Sequence, residues 1–334
     1  MTNPVLVEVL RGALVESRHT GAVAVVDADG RLVLSVGEID VPIFSRSAVK
    51  SMQALPLVES GAADAYGFGD KELSLACASH SGEPGHTELA NAMLAKASLD
   101  ENALECGTHW PISQDATVAL AKAGGKPSQL HNNCSGKHSG FLCGCRHMRI
   151  NHPGYVQPDH PYQEAIRRTM AELTGFVHDE RNRGVDGCSI PTYAVPLKNL
   201  AHAFARMTTG KGLSADRATV AKRLLAACMA EPFYMAGSDR VDTKLMKAIP
   251  GKAFVKIGAE GVYCGAIPEL GLGLALKCDD GQGRAAEVAV AAVLSKLLEK
   301  DGTVKAALAD LVEPPLRNWK GIHVGGLRPA AALQ

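Results

Sequence analysis

At 334 residues the chain is long enough for one large domain or two intimate ones, either with a full core. Lys plus Arg and Asp plus Glu both number 35, and this zero net charge speaks against a nucleic-acid binder or a polybasic membrane protein. No apolar run approaches a membrane span and Met1-Thr2-Asn3-Pro4 resembles no export signal, so a soluble cytoplasmic protein is expected.

Residues 4–40 read as strands, with Ala22–Val26 and Arg31–Val36 joined by the hairpin signal Asp27-Ala28-Asp29-Gly30. The stretch Phe44-Ser45-Arg46-Ser47-Ala48-Val49-Lys50 then opens a helix, with Ala48, Met52 and Leu55 at helical spacing and Pro56 close behind. Helical patterns follow over 70–78, 86–98, 114–123, 135–147, 161–174, 199–208, 215–230 and 239–248, punctuated by Gly82-Glu83-Pro84-Gly85 and Asn151-His152-Pro153-Gly154. The strand signal returns over 253–258, 261–266 and 271–277, with turns at Ala259-Glu260 and around Pro268. An apolar helix over about 285–299 and a strand near 322–325 close the chain. Strands at both ends with helices between them predict an α+β fold: an antiparallel sheet from both chain ends, helices packed on it, and an inserted helical region. We expect one globular unit over 1–334, its sheet part at about 1–60 plus 250–334 and its helical part at about 61–249.

Ser47 and Lys50 form an S-x-x-K pair on one helical face, with the positive end of the helix dipole beside the hydroxyl. A serine becomes a nucleophile when a neutral amine takes its proton. Bringing a lysine from about 10.4 to about 7 costs roughly 4.6 kcal/mol, which burial and a second cation can supply. Lys256, in Lys256-Ile257-Gly258 on a late strand, is the candidate second cation, and Gly258 leaves room for a ligand against that strand. Ala78-Ser79-His80-Ser81-Gly82-Glu83 gathers hydroxyls, an imidazole and a carboxyl at a break, where loops commonly meet ligands. His131-Asn132-Asn133-Cys134-Ser135-Gly136-Lys137-His138 is denser in reactive groups than a loop requires. Cys134 and Lys137 share a face there and, with Cys188 far along the chain, offer sulfur and nitrogen donors of the kind zinc takes. Asp186, in a Gly-bracketed loop, can receive an ammonium group or close a turn on its own backbone. The other cysteines, Cys143-Gly144-Cys145 among them, read as core thiols.

The order Ser-x-x-Lys, a serine after a helix, and Lys-x-Gly on a late strand is similar to that of serine β-lactamases and penicillin-binding proteins. The middle motif departs from that pattern with Ser79-His80-Ser81, and the last with Lys256-Ile257-Gly258. A fuller series resembles the rhizobial-type (class 3) L-asparaginases: Ser45-Arg46-Ser47-Ala48-Val49-Lys50, Ala78–Glu83, Asn132–His138, Val185-Asp186-Gly187-Cys188 and Lys256–Gly261. This resemblance implies a β-lactamase-like fold, a homodimer, and hydrolysis of L-asparagine to L-aspartate and ammonia. It implies Ser47 as nucleophile with Lys50 as its base, Ser79 and Lys256 as a second pair, and zinc held by Cys134, Lys137 and Cys188. Arg46, His80, Asn133 and Asp186 are the candidate substrate-binding residues, with Arg46 and Asp186 facing the charges of the amino-acid head group. The alternatives are a glutaminase or β-lactamase-like amidohydrolase on the same machinery, and a zinc-binding protein without catalysis.

Overall fold

The computed structural model describes residues 2–334; Met1, part of the export reading, lies outside them. The strands in chain order are β1 (Val5–Arg11), β2 (Leu14–Asp27), β3 (Leu32–Val36), β4 (Pro42–Phe44), β5 (Arg183–Val185), β6 (Pro191–Pro196), β7 (Phe254–Gly258), β8 (Val262–Ile267), β9 (Leu272–Cys278), β10 (Pro315–Arg317) and β11 (His323–Pro329). The chain divides into two compact units, one of Met1–Ala48, Val195–Ala205 and Lys244–Gln334, the other of Val49–Ala194 and Arg206–Thr243.

The first unit holds the expected antiparallel sheet from both chain ends, in the order β10-β11-β1-β2-β9-β8-β7, with β3 also on β2. The ends interleave because β11 pairs with β1 and β9 with β2, for example Val9↔Leu327 and Ala24↔Ala275. The long β2 changes partners midway: residues up to Thr20 face β1, and Gly21–Asp27 face β9. Gly21 stands at the switch, where a Cβ would lie 2.2 Å from the Lys277 carbonyl oxygen. The Asp27–Gly30 turn forms as its residues predict. The Asp27 carboxyl accepts the Asp29 and Arg31 N–H groups at 2.8 and 2.9 Å, and Gly30 takes φ +81°. Strands β7 and β8 are buried at every position, so both of their faces are covered. The apolar helix Gly283–Leu297 packs on β1, β8, β9 and β11 through Ala285, Val288, Val293 and their neighbours.

The second unit is built around the helix Ser135–His147, buried from Ser135 through Cys145. Its glycines recur at four-residue spacing and make one smooth face. Side chains added at Gly136, Gly140 and Gly144 would strike Leu75, Leu57 and Tyr162 at 2.4, 3.2 and 2.4 Å. The helices Asp70–Ala76, Pro84–Lys96 and Pro161–Thr174 surround it. No helix among the described residues is long and apolar enough to cross a membrane.

Three local elements differ from expectation. The predicted helix at Ser47 begins as a 3₁₀ turn over Arg46–Val49 and becomes a short α-helix, Lys50–Gln53, before a second one at Leu55–Glu59. Arg46 enters the turn at φ +50°, which bends the chain, and Pro56 restarts the helix. The Gly-bracketed loop at 184–191 forms part of a hairpin, with Arg183↔Tyr193 and Val185↔Pro191 in register. A helix at Gly302–Val312, with Asp301 capping it through the Thr303 N–H at 3.1 Å, lies beyond the last predicted helix.

Candidate active site

Each unit carries its own share of the candidate residues. In the first, β4 delivers the chain to the turn that bears Arg46 and Ser47, both half-buried. The Ala48 N–H donates to the Ser45 carbonyl at 3.1 Å and closes the turn. Gly258, the last residue of β7, abuts this turn: a Cβ there would lie 2.6 Å from the Ser45 oxygen and 3.3 Å from the Ala48 nitrogen. The space that the sequence reserves for a ligand at Gly258 is therefore taken by the Ser47 turn itself. Lys256, two residues earlier, is fully buried, and its Nζ donates to the Ile257 carbonyl at 2.9 Å.

In the second unit Lys50 is buried on the first α-turn, with its Nζ among three acceptors. It donates to the Ala78 carbonyl at 2.5 Å, to Ser79 Oγ at 2.8 Å and to Cys134 Sγ at 3.0 Å. Three partners match the three protons of an ammonium, and a neutral amine keeps all three when the Ser79 hydroxyl turns to donate to Nζ. Ser79 follows the helix Asp70–Ala76 in a segment without regular structure. Its N–H donates to Met235 O at 3.0 Å, and the His80 N–H donates to Asn133 O at 3.0 Å.

His80 has both ring nitrogens engaged inside the protein. Nδ1 accepts the Gly82 N–H at 3.1 Å, which leaves Nε2–H to donate to Ser135 Oγ at 2.8 Å. Burial, with His86 and Lys50 nearby, holds His80 well below the usual imidazole range and hence neutral. Its ring stacks on His86 at 4.9 Å and so organises the loop. Asn132 binds the Cys106 and Gly107 carbonyls and accepts the Cys134 N–H at 2.9 Å. That leaves the half-buried Asn133 as the amide of this pair with its side chain uncommitted among the described residues.

The proposed donors for a metal also meet. Lys137 Nζ donates to Cys188 Sγ at 3.1 Å, and all three side chains are buried. A hydrogen bond from Cys134 lowers Cys188 to about 5 against its burial, with Lys137 and Lys50 adding to the effect. The same bond and burial push Cys134 up to about 12. Burial depresses Lys137, but Cys188, Cys134 and Asp186 outweigh it and raise it. No group of three His, Cys, Asp or Glu suited to a metal occurs among the described residues, because the third donor here is a lysine. Two sulfurs and one amine fit the donor preferences of zinc, provided that Cys134 and Lys137 shed their protons on binding. Asp186 closes a turn on its own loop, its carboxyl accepting the Gly187 N–H at 2.7 Å, and Ser189 beside Cys188 takes φ +75°.

The link from Lys50 to Cys134 is absent from the sequence reading, since the two lie 84 positions apart and neither motif points to the other. The Glu83–Ser238 contact described below is likewise invisible in the motifs.

The sequence profile of L-asparaginase II matches residues 7–329. The chain belongs to the L-asparaginase II family. No curated protein matches it. Among solved structures, Mglu in its native form aligns at 16% identity and a TM-score of 0.44, over 84% of this chain and 64% of that one. Mglu in its tris and glutamate form aligns at 16% identity and 0.36, over 90% and 63%. The octameric penicillin-binding protein homologue from Pyrococcus abyssi aligns at 14% identity and 0.35, over 90% and 79%. The chain thus spans under two thirds of the length of Mglu, and likeness at this level carries no inference about chemistry.

Proposed function

We propose that the protein hydrolyses L-asparagine to L-aspartate and ammonia by acyl transfer through a serine. The observation that carries this reading is the buried amine of Lys50, hydrogen-bonded to a serine hydroxyl and three residues from Ser47, in a chain of the L-asparaginase II family. Neutral Lys50 takes the Ser47 proton, and Oγ attacks the side-chain amide carbon. Backbone N–H groups of the Ser47 turn, other than the committed Ala48, hold the oxyanion. The amide C–N bond then breaks, the nitrogen takes the proton held by Lys50, and ammonia leaves a β-aspartyl ester on Ser47. Water cleaves that ester with the same base and releases aspartate. Ser79 and Lys256 are the proposed second pair, with Ser79 sharing the Lys50 amine. Arg46 and Asp186 are assigned to the substrate carboxylate and ammonium, with Asn133 as a polar contact, and His80 acts through the loop that it holds. Zinc, held by Cys134, Lys137 and Cys188 with a water, would supply a fixed charge that orients the Asn132–His138 loop. A homodimer is the proposed assembly.

The test is ammonia release from L-asparagine and, in parallel, L-glutamine by wild type, Ser47→Ala and Ser79→Ala. Release from asparagine that is abolished in Ser47→Ala is expected. Preference for glutamine would keep the mechanism and change the substrate, since one methylene is typically worth only about 1–3 kcal/mol of discrimination. A second assignment has its own support, because Ser79 Oγ is the hydroxyl in contact with Lys50. Activity that survives Ser47→Ala and is lost in Ser79→Ala would move the nucleophile there.

A further inference from the structure

Ser79 through Glu83 lies in neither helix nor strand, so its position depends on bonds from elsewhere. Four of them, with two more just outside the stretch, come from one distant segment, Glu231–Ser238; the others come from Lys50, Ser113, Asn133 and Ser135. Ser74 Oγ donates to Glu231 O at 2.7 Å, His86 Nε2 to Phe233 O at 2.8 Å, Ser79 N to Met235 O at 3.0 Å and Ser81 Oγ to Ala236 O at 2.9 Å. At the end the polarity reverses: Ser238 donates both its N–H and its hydroxyl to the Glu83 carboxyl, at 2.8 and 2.6 Å. Between these contacts Gly237 has φ +122°, and a Cβ there would lie 2.4 Å from Ser81 Oγ and 2.7 Å from Glu83 Oε1. The segment is therefore fastened along its length to the stretch that carries Ser79, and the two-bond clasp at Glu83 is its last fastening.

We propose that Glu231–Ser238 is a brace that sets the position of Ser79, and that Glu83 is the positioning residue that locks it by clasping Ser238. The clasp touches no reacting atom and acts through Ser81, Met235 and the Ser79 backbone. Its bearing on turnover rests on the function proposed above; its bearing on the position of Ser79 does not.

Hydrogen exchange at the Ser79 amide, read by mass spectrometry on peptides covering 77–83, tests the brace without reference to activity. Removing hydrogen bonds to a carboxyl should speed local exchange about tenfold or more in Glu83→Ala. Glu83→Gln keeps an acceptor and a donor for Ser238 and should stay near wild type. Ser238→Ala, at an exposed position that leaves folding intact, should fall between. In the same order kcat for asparagine should drop with KM unchanged, and Glu83→Ala should add no further loss in a Ser79→Ala background. Unchanged exchange at Ser79 in Ser238→Ala and in folded Glu83→Ala overturns the brace. So does a loss of kcat that adds in full to that of Ser79→Ala. Wild type that releases ammonia from neither amide overturns the proposed function instead, and the exchange data then decide the brace alone.

Discussion

At the scale of single residues the site is a matter of how one buried amine is held. The Lys50 ammonium or amine is met by a carbonyl, a hydroxyl and a sulfur. Lys50→Met keeps the volume and removes the donor, so it should abolish ammonia release. It also leaves the Ala78 carbonyl and Ser79 hydroxyl short of a partner, at a cost of about 1–3 kcal/mol measurable by denaturant unfolding. Arg46 and Asp186 are predicted to serve the ends of the substrate, so Arg46→Ala and Asp186→Ala should each raise KM for asparagine about tenfold, as loss of one charged contact does. Steady-state kinetics with both parameters unchanged in both variants would remove that assignment.

At the scale of elements the Ser47 turn is held by its surroundings as much as by its own sequence. It combines a non-glycine residue at positive φ, a 3₁₀ turn and a glycine-ended strand pressed against it. Strain of this sort persists only where neighbours enforce it. Gly258→Ala would drive a methyl into the Ser45 carbonyl, so the turn must shift. We expect a stability loss of about 1–3 kcal/mol and a fall in kcat of tenfold or more, seen in thermal unfolding and ammonia release. Long helices such as 135–147, 161–174 and 215–230 were legible to the residue, the last two because one buried face and a side-chain cap define them. Short elements at 42–44, 183–185 and 191–196 were not, since strands of three to six residues depend on partners far along the chain.

At the scale of the molecule the candidate residues are divided between the two units. Arg46, Ser47 and Lys256 belong to the sheet unit, while Cys134, Lys137 and Cys188 all belong to the mainly helical unit. Protein purified without chelator should therefore retain about one zinc per chain by elemental analysis, matching the single donor set. Chelation should raise KM for asparagine while leaving kcat and the circular dichroism spectrum largely intact. Loss of kcat with KM unaffected would mark the metal as catalytic.

Sequence alone determined the α+β class, the order of most elements and the residues worth suspecting. Periodicity, turn residues and motif spacing are local properties, and the family resemblance added roles to five such stretches. Only the tertiary structure decided which of those residues meet. It put Lys50 on Ser79 and Cys134, and committed both nitrogens of His80 to the loop. It also filled the space at Gly258 with the Ser47 turn and fastened Glu83 to Ser238. The reason is physical: a hydrogen bond between residues 29, 84 or 155 positions apart leaves no period or spacing in the chain, and exists only once packing has brought the partners together.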